Sequence, residues 1–453
     1  MVAEGGFLRS ILVIVWLAMP AILFAQNPGE GEEETAQDEA VQDSGGFTHL
    51  SFKNRPSLRI GEFAQIDFKT KWHLDFRKFN PDIWNPPGVI TALPEEPDTF
   101  ILTRARFGFK GHVTKYFDYE IERDMRKTFA DVNEWHPWKD NYVDFNAVKW
   151  LHVKVGKFKM PFGLEEVGSE DRLDYAHKSQ VTDTLSPSRE RGVMLHANFF
   201  RRARLEYEAG IFRYDGENSD IRGQPTAGHT YAARLTGQPL RLFSGLPRSI
   251  RHVYVGGAAT RGRMLEGPNG MKGETVSGFT YFDHMFVRGY RTRVGAELAW
   301  AEGPFSVKGE YIHVSEERKN QGIRGEDLPD KLSRGWYVTA GWTALGQMKS
   351  RGTAPKTPFL RGHSIGAVEL SARYDVLAFF SEPGPGLPAR SPRAPTILPN
   401  GERTWTFGPT WYLNRYFKIQ LNAEREKLTD IERKAVLGRT IFWTGVLRLQ
   451  VAM

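Results

Sequence analysis

The chain contains no cysteine. That excludes disulfide staples and thiolate metal sites, and it suits export into an oxidising compartment. No apolar run of 18 or more residues lies beyond the N-terminus, so no helical membrane span is expected there. GxSxG, HExxH and P-loop patterns are also missing. The histidines, among them His112, His136, His152, His177 and His196, lack the close spacing of a metal site. The reading is therefore of a protein without catalytic centre, metal or cofactor. What is abundant is glycine, with 45 residues, and aromatics, at 13% of the chain. With a mean hydropathy of −0.45, these suit many short strands with one apolar and one wet face.

The first 46 residues stand apart. Residues 1–25 have the form of a secretory signal: Arg9 ends a short n-region, Ile11–Phe24 is apolar, and Ala25 is the expected cleavage point. Pro20 interrupts the apolar run, which argues against a membrane anchor. Residues 26–46 are acidic, lack aromatics and end in Gly-Gly, the composition of a disordered periplasmic tail. These 46 residues hold eight Asp and Glu against one Arg, leaving 60 Lys and Arg against 46 Asp and Glu in residues 47–453, a net of +14. An exported basic body implies an anionic solute or surface, and export argues against nucleic acid as partner.

Period-2 alternation recurs along the chain. Over 59–77, Ile60, Ala64, Ile66, Phe68, Trp72, Leu74 and Phe76 share one face. Arg59, Gln65, Asp67, Lys69, Lys71, His73, Asp75 and Arg77 share the other. A soluble sandwich and a membrane barrel both show this pattern; the export signal and the strand number favour the barrel. Sixteen strands are predicted: 58–78, 99–112, 115–126, 140–149, 151–159, 191–201, 203–214, 229–236, 251–261, 291–301, 304–315, 334–344, 364–378, 403–413, 415–426 and 438–452. A seventeenth alternating run, 275–287, breaks the even count that a bacterial barrel requires. Tight links near Val113–Thr114, Lys149–Trp150, Arg201–Arg202, Glu302–Pro304 and Asn414 all face the periplasm only if that run is left out of the wall. It is therefore assigned to the fifth outer loop, as a hairpin of its own. Two periplasmic links, 237–250 and 345–363, are longer than the rule prefers.

An anion pathway needs fixed cations near the constriction. Alternation nominates Arg59, Lys69, Lys71, Arg104, Arg106, Lys154, Arg204, Arg234, Lys308, Arg373, Lys418 and Arg448 as lumen-facing. Arg104 and Arg106 stand out as same-face cations without an intervening acid. Glu120, Glu122, Glu206, Glu310, Glu369 and Asp375 share that face and can neutralise neighbours. Residues 156–192 form a turn-rich insert between two strands, and an insert of this length in a compact fold is usually functional. It is predicted to fold inward as the third outer loop and to form the constriction. Lys157, Lys159, Arg172, Lys178, Arg189 and Arg191 are its candidate cations. Phe162, Leu164, Leu173, Tyr175 and Leu185 are its candidate contacts with the inner wall. Trp and Tyr residues are read as anchors at the membrane interface.

Several segments, in order and spacing, carry a resemblance: FILTRARFGFKGHVTKYFDYEIERD (100–124), VKVGKFKMPFGLEE (153–166), LSPSRERGVML (185–195) and EYEAGIFRYDG (206–216). YAARLTGQPL (231–240), GAELAWAEGPFSVKGEYI (295–312), GAVELSARYD (366–375), TWTFGPTWYLNRYFKIQLNAE (404–424) and TGVLRLQV (444–451) extend it. Over roughly 56–452 the chain resembles the phosphate-selective porin O and P family of Gram-negative outer membranes. The resemblance implies a sixteen-stranded barrel, usually a trimer, that passes small anions, phosphate in particular. Two departures stand out. The chain ends Ala452-Met453 where the family usually ends in an aromatic residue. Its fifth loop carries only Arg261, Arg263, Lys272 and Arg288 as bases, interspersed with Glu266 and Glu274. The expectation is an outer-membrane porin for small anions. A general or sugar-selective porin and a non-transport barrel, adhesive or enzymatic, stand as alternatives.

Overall fold

A computed structural model describes residues 48–52, 55–80, 100–126, 137–221, 225–349, 352–429 and 440–453. The segments read as signal peptide and acidic tail lie outside the described residues. Sixteen antiparallel strands form the wall. In chain order they are β1 (Ala64–Asn80), β2 (Phe100–Val113), β3 (Phe117–Asp124), β4 (Trp138–Val148), β5 (Leu151–Lys159), β6 (Arg189–Phe200), β7 (Leu205–Phe212) and β8 (Ala227–Gly237). The second half comprises β9 (Tyr254–Gly267), β10 (Val287–Glu302), β11 (Phe305–Arg318), β12 (Leu328–Leu345), β13 (Ala367–Ser381), β14 (Asn400–Tyr412), β15 (Phe417–Leu428) and β16 (Ile441–Ala452). Each pairs with its neighbours, and β16 closes on β1 with Arg448 opposite Asp75 and Val451 opposite Trp72. Closure leaves no unpaired edge within the membrane, the condition for a sheet to span lipid.

The sequence pattern makes the two faces. On β1, Lys69, Lys71, His73 and Asp75 are buried, while Trp72 between them is exposed. Val143, Val155, Val193, Leu298, Trp336, Trp405, Phe407 and Leu447 are likewise exposed on the outside of their strands. A soluble domain would bury these and expose the charges; here lipid is the outer solvent. Neighbouring rings line up on that outer face: Trp336 meets Tyr374 at 5.7 Å, and Tyr374 meets Trp405 at 4.6 Å between centroids.

The predicted first strand needs correction. It is two strands, Ser57–Ile60 and Ala64–Asn80, separated by a turn at Gly61, whose φ is 53°. Residues 57–60 fold back onto Ala64–Asp67 and pair with Thr48–Ser51 on their other side. They continue the line of β16 along β1. Met453 exchanges backbone hydrogen bonds with Thr70 at 2.9 and 3.3 Å, and Phe68 donates to the Pro56 carbonyl at 2.8 Å. The fifteen later strands appear where alternation places them, with ends shifted by a few residues. The run at 275–287 is outside the wall except for its last residue, Val287, which opens β10, and a hairpin of Gly273–Glu274 with Thr280–Phe282 forms in the fifth outer loop. The two long periplasmic links hold short structure: helical turns at Pro239–Leu242 and Arg248–Arg251, and a hairpin of Gln347–Lys349 with Gly352–Ala354.

Candidate channel constriction

The third outer loop, residues 160–188, folds into the lumen. Its apolar side chains set the first contact. Phe162, Val181 and Leu185 are fully buried in one cluster with Ile312, Val314, Tyr337 and Leu377 of the facing wall. The wall leaves room for them with glycine. A Cβ on Gly295 would lie 3.1 Å from the Phe162 ring, and one on Gly335 would lie 2.8 Å from a Val181 methyl. Burying three such side chains contributes roughly 1.5–3 kcal/mol each.

Polar anchors then hold the loop backbone. Glu310 on β11 accepts from the Leu164 amide, from the Glu165 amide at 3.2 Å, from Thr182 Oγ1 at 3.1 Å and from the Tyr337 hydroxyl at 2.6 Å. Further along, wall side chains donate to the loop's carbonyls. Gln450 donates to Asp171 O at 2.9 Å, Lys418 to Leu173 O at 2.8 Å, and Gln420 to Asp174 O at 2.9 Å. Arg448 donates to Ala176 O, Arg373 to His177 O and Lys178 O at 3.2 and 3.0 Å, and Arg293 to Leu185 O at 2.9 Å. Asn422 accepts from the Ala176 amide at 2.8 Å. The loop thus lies across β10 to β16, and its acids reach β1 and β2.

The fifth loop folds inward as well. Toward the outer rim the lumen side of β13 changes from Arg373 and Asp375 to buried Leu377 and Phe379. There Phe282 stacks on Phe379 at 4.6 Å, and Phe279 stacks on Phe442 at 6.3 Å. Glu426 on β15 accepts from the Val276 amide of the fifth loop at 2.7 Å and from Gln180 of the third at 3.3 Å. One strand therefore secures both loops. The fifth loop's Lys272 pairs with Glu274 at 2.5 Å, and Arg288 pairs with Glu266 at 3.2 Å.

Besides Lys418 and Arg448, which donate to the loop's carbonyls, the nominated cations fall into three groups. The first meets the third loop's acids. Arg104 Nε and Arg106 Nη1 reach Glu170 at 3.0 and 2.6 Å, and Arg189 approaches the same carboxylate at 3.9 Å. Burial alone would raise the Glu170 carboxyl, but Arg104, Arg106 and Arg189 outweigh it and hold it well below the usual range. Arg106 also faces Glu122 and Asp124, and Arg189 forms a two-pronged pair with Asp140 at 3.1 and 3.0 Å. Lys71 pairs with Asp171 at 3.2 Å, Lys178 with Glu166 at 2.5 Å, and Lys308 with Asp174 at 2.7 Å. Lys159 is capped by the carbonyls of Glu166 and Gly168 at 2.6 and 2.5 Å.

The second group pairs with the wall or with other loops. Lys69 meets Glu120, and Glu122 at 2.8 Å. Lys154 lies 3.5 Å from Asp144, Arg234 bridges Glu208 and Glu297 at 2.7 and 2.8 Å, and Arg373 binds Asp375 at 2.9 Å. Lys157 meets Glu217 of the fourth loop at 2.5 Å, and Arg191 lies 3.7 Å from Glu190. The third group holds two departures from expectation, Arg59 and Arg204, and one loop cation, Arg172. Arg59 sits in the folded-back N-terminal strand rather than in the wall. Arg204 is an exposed turn residue with φ 49°, ahead of β7 rather than on it. Arg172 is on the loop as expected and is exposed.

Alternation did not single out Arg291 and Arg293. Both are fully buried and clamp Asp215 of the fourth loop, each at 2.6 Å. Their spacing on one strand face was the available signal; their partner is over 70 residues away. Asp144, His152 and His196 also meet, with ligand atoms within 4.8 Å of one another. Register, not sequence spacing, brings them together: His152 lies directly opposite His196.

The fold recurs among solved porins. An anion-selective porin from Comamonas acidovorans aligns with 86% of this chain and 100% of its own at a TM-score of 0.52 and 10% identity. The outer-membrane channel DcaP of Acinetobacter baumannii aligns with 86% and 98% at 0.50 and 9% identity. Porin O of Pseudomonas aeruginosa is 23% identical over 94% of both chains. The family described as Phosphate-selective porin O and P matches residues 72–451. With a closed sixteen-stranded wall, a lipid-facing exterior and that match over most of its length, the chain belongs to the phosphate-selective porin O and P family of the Gram-negative outer membrane.

Proposed function

We propose that this porin conducts small anions, phosphate-like solutes among them, by passive diffusion, and that it works as a homotrimer in outer-membrane lipid. The observation that carries the reading is the convergence of Arg104, Arg106 and Arg189 on the single loop carboxylate Glu170. Arg172 stands exposed on the same loop. Family membership and the net +14 of residues 47–453 support it. Fixed guanidinium groups suit phosphate because their planar fork replaces part of its hydration shell. No cofactor and no covalent step is involved.

A second reading, a general porin, draws support from the pairing of most nominated cations with carboxylates. Reversal potentials across a KCl gradient separate the two. The anion reading expects chloride preference, and competition by added phosphate. Cation preference, or chloride current indifferent to phosphate, would sink it. Arg104→Ala with Arg106→Ala should reduce the anion preference.

A further inference from the structure

One side-chain cluster lies apart from the constriction. Near the periplasmic end of the lumen, β4, β5 and β6 present Asp144, His152 and His196 on one face. Val143, Val155, Val193 and Leu195 are exposed on the opposite face. His152 and His196 are direct cross-strand partners with rings 5.1 Å apart. Asp144 belongs to β4, yet its Oδ2 reaches His196 Nε2 on β6 at 2.9 Å, passing over β5. His152 makes no hydrogen bond among the described residues. The three ligand atoms lie within 4.8 Å of one another.

We propose that Asp144, His152 and His196 bind a divalent transition metal of the zinc or copper class. Two imidazoles and one carboxylate select such metals over magnesium or calcium, which prefer all-oxygen shells. Metal–nitrogen and metal–oxygen bonds of about 2.0–2.2 Å bring ligand atoms to roughly 3.5 Å apart. His152 and His196 are half-buried, so small side-chain rotations suffice. Lys154, 3.5 Å from Asp144, gives up that carboxylate to the metal. Glu208, opposite His196 in the register, stays engaged by Arg234 at 2.7 Å. Three protein ligands leave a tetrahedral position open. It faces the lumen, so the bound ion would add positive charge where solute leaves the channel, and would offer passing anions a coordination site.

The test uses tag-free, refolded full-length protein in detergent. Calorimetric titration with zinc chloride should show one site per chain with micromolar affinity. His152→Ala should weaken binding roughly tenfold or more, and His152→Ala with His196→Ala should abolish it. His112→Ala serves as the control and should bind as the parent does. In planar bilayers, micromolar zinc should move the reversal potential toward greater anion preference in the parent but not in the double variant. Heat-modified mobility on SDS gels confirms that each variant is folded. No zinc binding by the parent would overturn the proposal, as would equal binding by the double variant.

Discussion

Glu310 is the point at which the third loop's position can be tested most directly. Its carboxylate accepts four hydrogen bonds, three from the loop and one from Tyr337. Each bond contributes roughly 0.5–1.5 kcal/mol, and each buried donor left unpaired costs about 1–3 kcal/mol. Such bonds are not additive within one network, so Glu310→Ala should free the loop entry by about 3–5 kcal/mol. Against that stand the buried side chains of Phe162, Val181 and Leu185, which together retain roughly 5–9 kcal/mol. The comparison predicts that Glu310→Ala alone loosens the loop without expelling it. Single-channel records should show more open-state noise and a modest rise in conductance. Adding Phe162→Ala removes the largest apolar anchor, so the loop entry around Phe162–Glu165 should detach while the carbonyl anchors from Asp171 to Leu185 hold the rest, and conductance should rise further. Heat-modified mobility on SDS gels verifies an intact barrel. A double variant with the parent's conductance and noise would refute the account of how the loop is held.

Glu170→Gln should increase anion preference. Arg106 and Arg189 keep Asp124 and Asp140, but Arg104 loses its carboxylate. An anion about 8 Å from the freed charge gains roughly 0.5–1 kcal/mol, a factor of about 2–5 in permeability ratio, read from reversal potentials. Gly335→Val should overfill the contact with Val181 and cost about 1–3 kcal/mol, seen as a lower temperature of barrel unfolding on SDS gels. Acid should release the fourth loop. Burial would raise the Glu217 carboxyl, but Lys139, Lys157 and Arg189 bring it down to about 2. A depressed carboxyl stabilises the fold fully above its unfolded value of about 4.3 and progressively less as pH falls toward 2. Protease cleavage in the fourth loop should therefore rise between those values and be flat above them, and Glu217→Gln should show the acid level of cleavage at neutral pH.

The wall was readable because its information is local. A strand with Trp72 between Lys71 and His73 announces its two faces in three residues, and sixteen such patterns survive reading one at a time. The errors arose where a short turn interrupts an otherwise unbroken pattern. Ile60 and Ala64 share a parity, so the turn at Gly61 was invisible and Arg59 was carried into the wall. Arg204 follows the same logic, one residue before its strand begins. The site was less legible because its partners are remote. Arg104 and Arg106 showed no acid between them, and the carboxylate that meets them comes from the inward loop 64 residues after Arg106. The apolar residues of the insert placed Phe162 and Leu185 against the inner wall, but Gly295, which receives Phe162, lies on a strand whose register the sequence does not state.

Most of the wall's grip on the third loop falls on main-chain carbonyls and amides, from Leu164 to Leu185. Every amino acid except proline presents those same groups. Side chains between the apolar anchors that make no such contact, such as the exposed Arg172, are therefore free to change without shifting the loop's course. The barrel behaves as a socket that accepts interchangeable inserts. Selectivity can be rewritten in evolution, or by a designer grafting a new segment between Phe162 and Val181, while the scaffold and its assembly stay as they are.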